Sequence, residues 1–291
     1  MGTLYRAITE DGSAMACVLD ATDIVAEIER IHQPSAVVTA ALGRLSIAAS
    51  MMGYQLKSES QSITLRLNGG GPAGRLIAVA DASGNVKSCV DNPIVEIPLN
   101  TMGKLDVKGA VGTDGTLSVS RDLGSGEPYL GQIPIVSGEI AEDITYYYAK
   151  SEQIPTVCAL GVLVNPDLTV RAAGGYLVQL LPFADESCID VIEKNVGALP
   201  SISALLDSGK TPKEICESLL AGLSPQLLDE SHPKYHCDCS RERSKKVLSS
   251  LSKEELEEIL REDGQCEICC HFCTEKYVFG KDDLTEILAK K

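Results

Sequence analysis

Six cysteines fall between residues 237 and 273, in three close pairs. Cys237 and Cys239 lie in "YHCDCS"; Cys266/Cys269 and Cys270/Cys273 lie back to back in "GQCEICCHFC". Zinc takes four thiolates tetrahedrally, and close-spaced cysteine pairs are half-sites that folding brings together. Cys237 and Cys239 supply one half. The other is Cys266 with Cys269 or Cys270 with Cys273, and spacing alone does not choose between them. Thiolates are also the form that oxidants attack, and a C-x-C or a C-x-x-C pair can close on itself as a disulfide. His236 and His271 adjoin the cysteines and are expected as bystanders. Cys17, Cys89, Cys158, Cys188 and Cys216 are scattered singly in apolar surroundings and are expected to be packing residues.

The tail that carries these thiols reads as helical. In "SKEELEEILREDG", Ser252 and Glu255 make a capping box, Leu256, Ile259 and Leu260 an apolar stripe, and Gly264 a stop. A helix before it starts at Ser240 and carries Val247, Leu248 and Leu251. So small a region has little core of its own and needs a metal to stay folded.

The rest of the chain reads as α+β. "ATDIVAEIER" and "PSAVVTAALGRLSIAASMM" are helical, with Pro34 expected at the first helical position of the second. "SITLRLN", "GRLIAVAD", "GTLSVSRDL", "YLGQIPIV", "VCALGVLV" and "LTVRAAGGYLVQLL" are strand-like, and the turns between them carry Gly, Asp, Asn and Pro. A further helix is expected around "SGEIAEDITYYYAKSEQ". Short connections favour antiparallel pairing. "NGGGPAG" has the G-x-G-x-x-G spacing of a dinucleotide loop, but the strand-like "GRLIAVAD" follows where a helix would have to open, so it is read as a strand connection. From about Leu181 only short amphipathic helices are expected, including "TPKEICESLLAGL" with its Thr211/Glu214 capping box and Gly222 stop. "SPQLLDESHPKYH" has the composition of a linker. The expected organisation is a mostly antiparallel sheet domain with helices over 1–182, a helical linker over 183–232 and a small zinc-binding domain over 233–291.

A net charge of −15, nearly all of it in the first 230 residues, argues against nucleic acid as a partner. The start of the chain has neither a basic region nor an apolar core, and "PSAVVTAALGRLSIAASMMG" is interrupted by Arg44 and two glycines, so neither a secretory signal nor a membrane span is expected. A cytoplasmic location follows, where the 11 cysteines are kept reduced.

"CDCSRER", then a stretch ending in "LREDG", then "CHFCTEKYVF" resembles the C-terminal signature of the redox-regulated heat-shock holdases, the 33 kDa chaperonin family. In that signature Tyr follows the last cysteine at the fourth position and Phe at the sixth, which only Cys273 satisfies, with Tyr277 and Phe279. "QPSAVVTAALGRLSIAASMM", "GGGPAGRLIAVADASGNV", "YLGQIPIVSGEIAEDITYYYAKSEQIP" and "AAGGYLVQLLP" resemble the N-terminal domain of the same family. Cys266 and Cys269 depart from its pattern and stand as alternate ligands.

The resemblance implies a molecular chaperone of the oxidative-stress response, not an enzyme. One Zn2+ per chain would be held by Cys237, Cys239, Cys270 and Cys273 in the reduced, inactive state. Oxidation to Cys237–Cys239 and Cys270–Cys273 disulfides would release the metal, unfold the C-terminal region and expose apolar surface to unfolding client proteins, with homodimerisation of the oxidised form. The rival readings are a constitutive zinc-stabilised binding module and a thiol–disulfide oxidoreductase.

Overall fold

In the computed structural model, which describes residues 1–182 and 184–291, the chain opens with a hairpin of β1 (Thr3–Thr9) and β2 (Ala14–Asp20). Side chains alternate faces along a strand, and here the two faces feed different cores. Leu4, Cys17 and Leu19 enter the main core; Tyr5, Ala7, Ala14, Ala16 and Val18 enter a second one on the opposite face. The sheet has the order β10-β1-β2-β9-β8, all antiparallel, with β8 Thr156–Val164, β9 Val170–Leu180 and β10 Pro225–Ser231.

Helices α1 (Thr22–His32) and α2 (Ala36–Gly53) follow the hairpin. A second antiparallel sheet, order β5-β4-β3-β6-β7, is built from β3 (Ser62–Asn68), β4 (Leu76–Asp81), β5 (Val86–Val90), β6 (Thr116–Asp122) and β7 (Tyr129–Pro134), with the short α3 (Val107–Val111) between β5 and β6. Helix α2 packs on both sheets. It is long and apolar enough to cross a membrane, but 89 % of it is buried inside the protein, which is why its apolar residues show no single stripe. Pro34 stands one residue before its N-cap Ser35, not at the first helical position, because Ser35 is extended and the helix starts at Ala36. The glycine loop joins β3 to β4. A Cβ on Gly69 would strike the Gly112 carbonyl and one on Gly71 the Val111 backbone, so these glycines permit the loop to lie against the end of α3.

Helix α4 (Ala141–Tyr147) continues as a π-turn through Glu152. Before it, Ile140 has φ 72°, a strained setting for a β-branched residue. The fully buried Asp143 carboxylate holds that turn by accepting from the backbone N–H groups of Val136 (2.8 Å), Ser137 (3.0 Å), Gly138 (3.1 Å) and Ile140 (3.0 Å).

Helices α5 (Glu186–Ala198), α6 (Ile202–Asp207) and α7 (Pro212–Leu219) cover the outer face of the first sheet through Cys188, Ile192, Ile202, Leu205, Ile215 and Leu219. The sheet core thus lies between α1–α2 on one side and α5–α7 on the other. The Thr211 capping box forms as read: Glu214 N–H donates to Thr211 Oγ1 at 3.3 Å and Thr211 N–H to Glu214 Oε2 at 2.8 Å. Thr211→Ala should weaken α7 by about 1 kcal/mol. Amide hydrogen exchange in α7 reads this as severalfold faster exchange; unchanged rates would show that packing alone holds the helix.

The stretch expected as a linker behaves differently. Residues 184–232 belong to a compact unit spanning Met1–His236, and Pro225–Ser231 is the edge strand β10, not part of a helical or irregular connection. Its polar residues are tolerated because an edge strand faces water, and Pro225 sits at its first position, where a missing N–H costs little. Asp229 anchors it by accepting from Arg6 Nε at 2.8 Å.

The second unit is Cys237–Lys291. It comprises α8 (Arg241–Leu248), α9 (Lys253–Glu262), a hairpin of β11 (Cys266–Cys269) and β12 (Lys276–Phe279), and α10 (Lys281–Leu288). Ser240 caps α8, and the Ser252/Glu255 box opens α9 with hydrogen bonds of 3.2 and 2.7 Å. Its core is Leu248, Leu256, Phe279, Leu284 and Ile287, while Val247 is exposed.

Candidate metal centre

Cys237 and Cys239 lie in the loop ahead of α8, whose cap Ser240 directly follows Cys239. Cys270 and Cys273 lie in the turn that joins β11 to β12. Cys270 N–H donates to the Glu275 carbonyl at 2.9 Å and Thr274 N–H to the Cys270 carbonyl at 2.8 Å, with Thr274 in the left-handed region at φ 61°. Arg241 ties the two segments together. Its guanidinium lies 4.5 Å from the centre of the Phe279 ring and donates to the Val278 carbonyl (2.7 Å) and to Asp283 (2.8 Å).

The result is one cluster in which the four sulfurs of Cys237, Cys239, Cys270 and Cys273 all lie within 4.8 Å of one another. Cys237 and Cys270 are 3.6 Å apart and Cys239 and Cys273 are 3.3 Å apart. A disulfide requires about 2.05 Å. A tetrahedral centre with metal–sulfur bonds of about 2.3 Å places its sulfurs about 3.8 Å apart. The cluster therefore has the size and donor chemistry of a four-thiolate metal site, and soft thiolates suit zinc, copper(I) or iron–sulfur centres. No histidine belongs to it among the described residues.

The thiols do not share one proton affinity. Burial pushes Cys237 up to about 11 and raises Cys273 as well. Burial also acts against Cys270, but the N–H groups of Cys273 and Phe272 and the neighbouring thiols outweigh it and hold Cys270 below the usual thiol range. Four crowded sulfurs cannot all carry charge unaided. A cation is what lets all of them deprotonate together.

The structure also gives the signature residues a job. The Tyr277 hydroxyl lies 3.2 Å from Cys239 Sγ, and that hydrogen bond raises the Tyr277 pKa by holding its proton. Phe279 is fully buried at the centre of the unit. Sequence reading used both only as markers, and it missed Arg241. Their regular spacing after Cys273 was the signal; alternation along β12 sends Tyr277 and Phe279 to the same face.

Cys266 and Cys269, the alternate ligands, stand outside the cluster. Both lie on β11, where Cys266 packs against the small core and Cys269 is exposed. Burial, aided by the Asp263 charge, raises the Cys266 thiol. Among the single cysteines, Cys17, Cys188 and Cys216 are buried as packing residues, and burial pushes Cys17 up to about 12.

Comparison with known proteins agrees with this architecture. The family model described as "Hsp33 protein" matches residues 2–280. The chain is 46 % identical over 287 residues to the 33 kDa chaperonin of Bacillus velezensis, covering 99 % of this chain and 98 % of that one. It is 45 % identical to the 33 kDa chaperonin of Bacillus subtilis (strain 168), covering 98 % and 97 %. Among solved structures, the 33 kDa chaperonin (Heat shock protein 33 homolog) of Thermotoga maritima superposes with a TM-score of 0.91 at 38 % identity, over 99 % of this chain and 98 % of that one. On sequence and on fold alike, the chain belongs to the Hsp33 family.

Proposed function

We propose that this protein is a redox-regulated holdase chaperone whose switch is the four-thiol cluster. The observation that carries the reading is that cluster itself: four sulfurs gathered within 4.8 Å in a unit with only five buried core residues. Zn2+ is the metal proposed for it, one per chain, held by Cys237, Cys239, Cys270 and Cys273; bound, it supplies the charge and cross-links that keep the unit folded.

Peroxide-class oxidants act on the thiols. One thiolate attacks a peroxide oxygen, hydroxide leaves, and the sulfenic acid formed is attacked by its neighbour with loss of water. Each disulfide removes two metal donors. The proposed bridges are Cys237–Cys239 and Cys270–Cys273, although sulfurs of opposite pairs also lie close in the folded protein. Cross-pair bridges would close loops with sequence separations of 33 and 34 residues, so once the fold loosens the local pairs close at a smaller entropic cost.

With the metal released, residues 237–291 unfold and the apolar surface beneath α5–α7 becomes available to unfolding proteins. The separate core under these helices supports this step. Ile192, Ile202, Leu205, Ile215 and Leu219 can leave the sheet without opening the main core around α2. On the same reading the oxidised chain pairs with a second copy and works in the cytoplasm, and its partners are unfolded polypeptides, not nucleic acid or membranes. The −15 net charge supports the exclusion of nucleic acid. An oxidoreductase reading is less well supported, because Cys270 and Cys273 occupy a strand-to-strand turn and lack the helix N-terminus that activates such motifs.

The test is light scattering from a denatured client diluted into the protein, either reduced with zinc or pre-oxidised with peroxide under mild heat, with released metal followed by a chromogenic chelator. Only the oxidised protein should suppress aggregation, with one zinc released per chain. Equal suppression by both forms, or none by either, overturns the switch.

A further inference from the structure

Cys266 and Cys269 form a C-x-x-C pair that the metal site does not use. Strand β11 holds them apart. It pairs with β12 in the register Cys266↔Phe279, Glu267↔Val278, Ile268↔Tyr277 and Cys269↔Lys276. Residues three apart on a strand point to opposite faces, and their Cα atoms lie about 10 Å from each other. A disulfide needs Cα atoms within about 7 Å and side chains that converge. The observed surroundings agree: Cys266 packs inward with the core of Phe279 and Leu256, whereas Cys269 is exposed with its Sγ 3.5 Å from the Thr274 carbonyl. Released from the strand, the same four residues close readily, because the loop is among the shortest that a disulfide spans.

We propose that Cys266 and Cys269 are a second redox site, closed while β11 is paired and open once the hairpin is lost, and that their disulfide latches the second unit unfolded. The inference rests on the reading that oxidation unfolds residues 237–291. The oxidant is of the peroxide class. One thiolate takes an oxygen from peroxide to become a sulfenic acid, the other attacks its sulfur, and water leaves with the S–S bond formed. The bridge pulls the ends of β11 together, so the register with β12 cannot re-form. Cys270 is the next residue, and its place in the turn depends on that register. Reduction of Cys237, Cys239, Cys270 and Cys273 alone therefore does not restore metal binding; the third disulfide must be reduced as well.

The experiment uses the full chain in three arms: zinc-loaded with peroxide at low temperature, zinc-loaded with peroxide under mild heat, and stripped by a chelator before peroxide. Remaining thiols are alkylated and mapped by mass spectrometry, with zinc measured in parallel. The Cys266–Cys269 disulfide should appear only in chains that have lost zinc. On adding reductant and zinc, Cys269→Ser, which changes an exposed side chain, should regain metal severalfold faster than the parent protein; Cys266→Ala is the second variant and should behave alike. Three results overturn the proposal: both thiols still open to alkylation in chelator-stripped, oxidised chains; a Cys266–Cys269 bridge in chains that keep their zinc; or equal rates of metal recovery in variant and parent. If peroxide with heat leaves zinc in place, the switch reading falls, and the chelator arm still decides for or against the latch.

Discussion

On the proposed zinc site, Cys239→Ser is expected to unfold residues 237–291 while the core around α2 stays folded. The substitution keeps the size of the side chain but exchanges a thiolate donor for a hydroxyl that stays protonated at neutral pH. Structural zinc contributes on the order of 10–16 kcal/mol of apparent folding free energy. Whole domains are stable by only about 5–15 kcal/mol, and this unit buries only five apolar residues. If zinc is bound as proposed, losing half of such a contribution should exceed what Leu248, Leu256, Phe279, Leu284 and Ile287 can retain. The Tyr277 hydroxyl loses its sulfur acceptor in the same step. In proton–nitrogen correlation spectra, the amides of Leu256, Phe279 and Leu284 should collapse to unfolded positions while those of Ile24, Leu42 and Leu65 remain dispersed. A chelator added to the parent protein should reproduce the pattern. Retained dispersion at Phe279 in the variant would show that the small core folds without its metal.

Asp143→Ala should lower the stability of the first unit by about 3–5 kcal/mol, far more than an ordinary surface change. Four N–H groups lose one shared acceptor, and those of Gly138 and Ile140 are buried where water does not replace it. The carboxylate also holds Ile140 in its left-handed setting, so the turn that launches α4 relaxes with it. Asp143→Asn keeps one acceptor oxygen and should cost less. Denaturant unfolding of the metal-loaded protein measures both, as a shift of the midpoint at constant slope. A loss below about 1 kcal/mol for Asp143→Ala would show that the turn is held by its packing.

Features written locally in the sequence were the legible ones. The Thr211/Glu214 and Ser252/Glu255 boxes need only three residues of spacing, and both form. The glycine loop was legible as a strand connection, which it is between β3 and β4, because the deciding feature, a strand after it, also lies next to it. The four-thiol cluster was half legible: spacing gave the pairs, and only the resemblance to the family signature, through Tyr277 and Phe279, singled out Cys270 and Cys273. Strand β10 was missed because its warrant lies on β1. "PQLLDES" has neither alternation nor a strong strand composition, and becomes a strand by pairing with Thr3–Thr9. Pro34 lies two residues before the first helical position, because Ser35 is the N-cap and the helix starts at Ala36. The separation of Cys266 from Cys269 required knowing that "CEIC" is a strand, since on a helix the same spacing would bring the two thiols together.

The pairing of β1 with β10 also sets a timetable for the newborn chain. Arg6 and Asp229 are joined across 223 residues, and at about 5–20 residues per second a ribosome needs roughly 10–45 s to travel between them. Through most of that interval the β1–β2 hairpin has neither neighbour, since β9 arrives only near its end. A lone hairpin is marginal in water, so Tyr5, Ala16 and Val18, whose covering helices α5–α7 are made late in the chain, wait exposed beside two open strand edges. Until its own synthesis is nearly complete, this member of the Hsp33 family is expected to be an aggregation-prone nascent polypeptide.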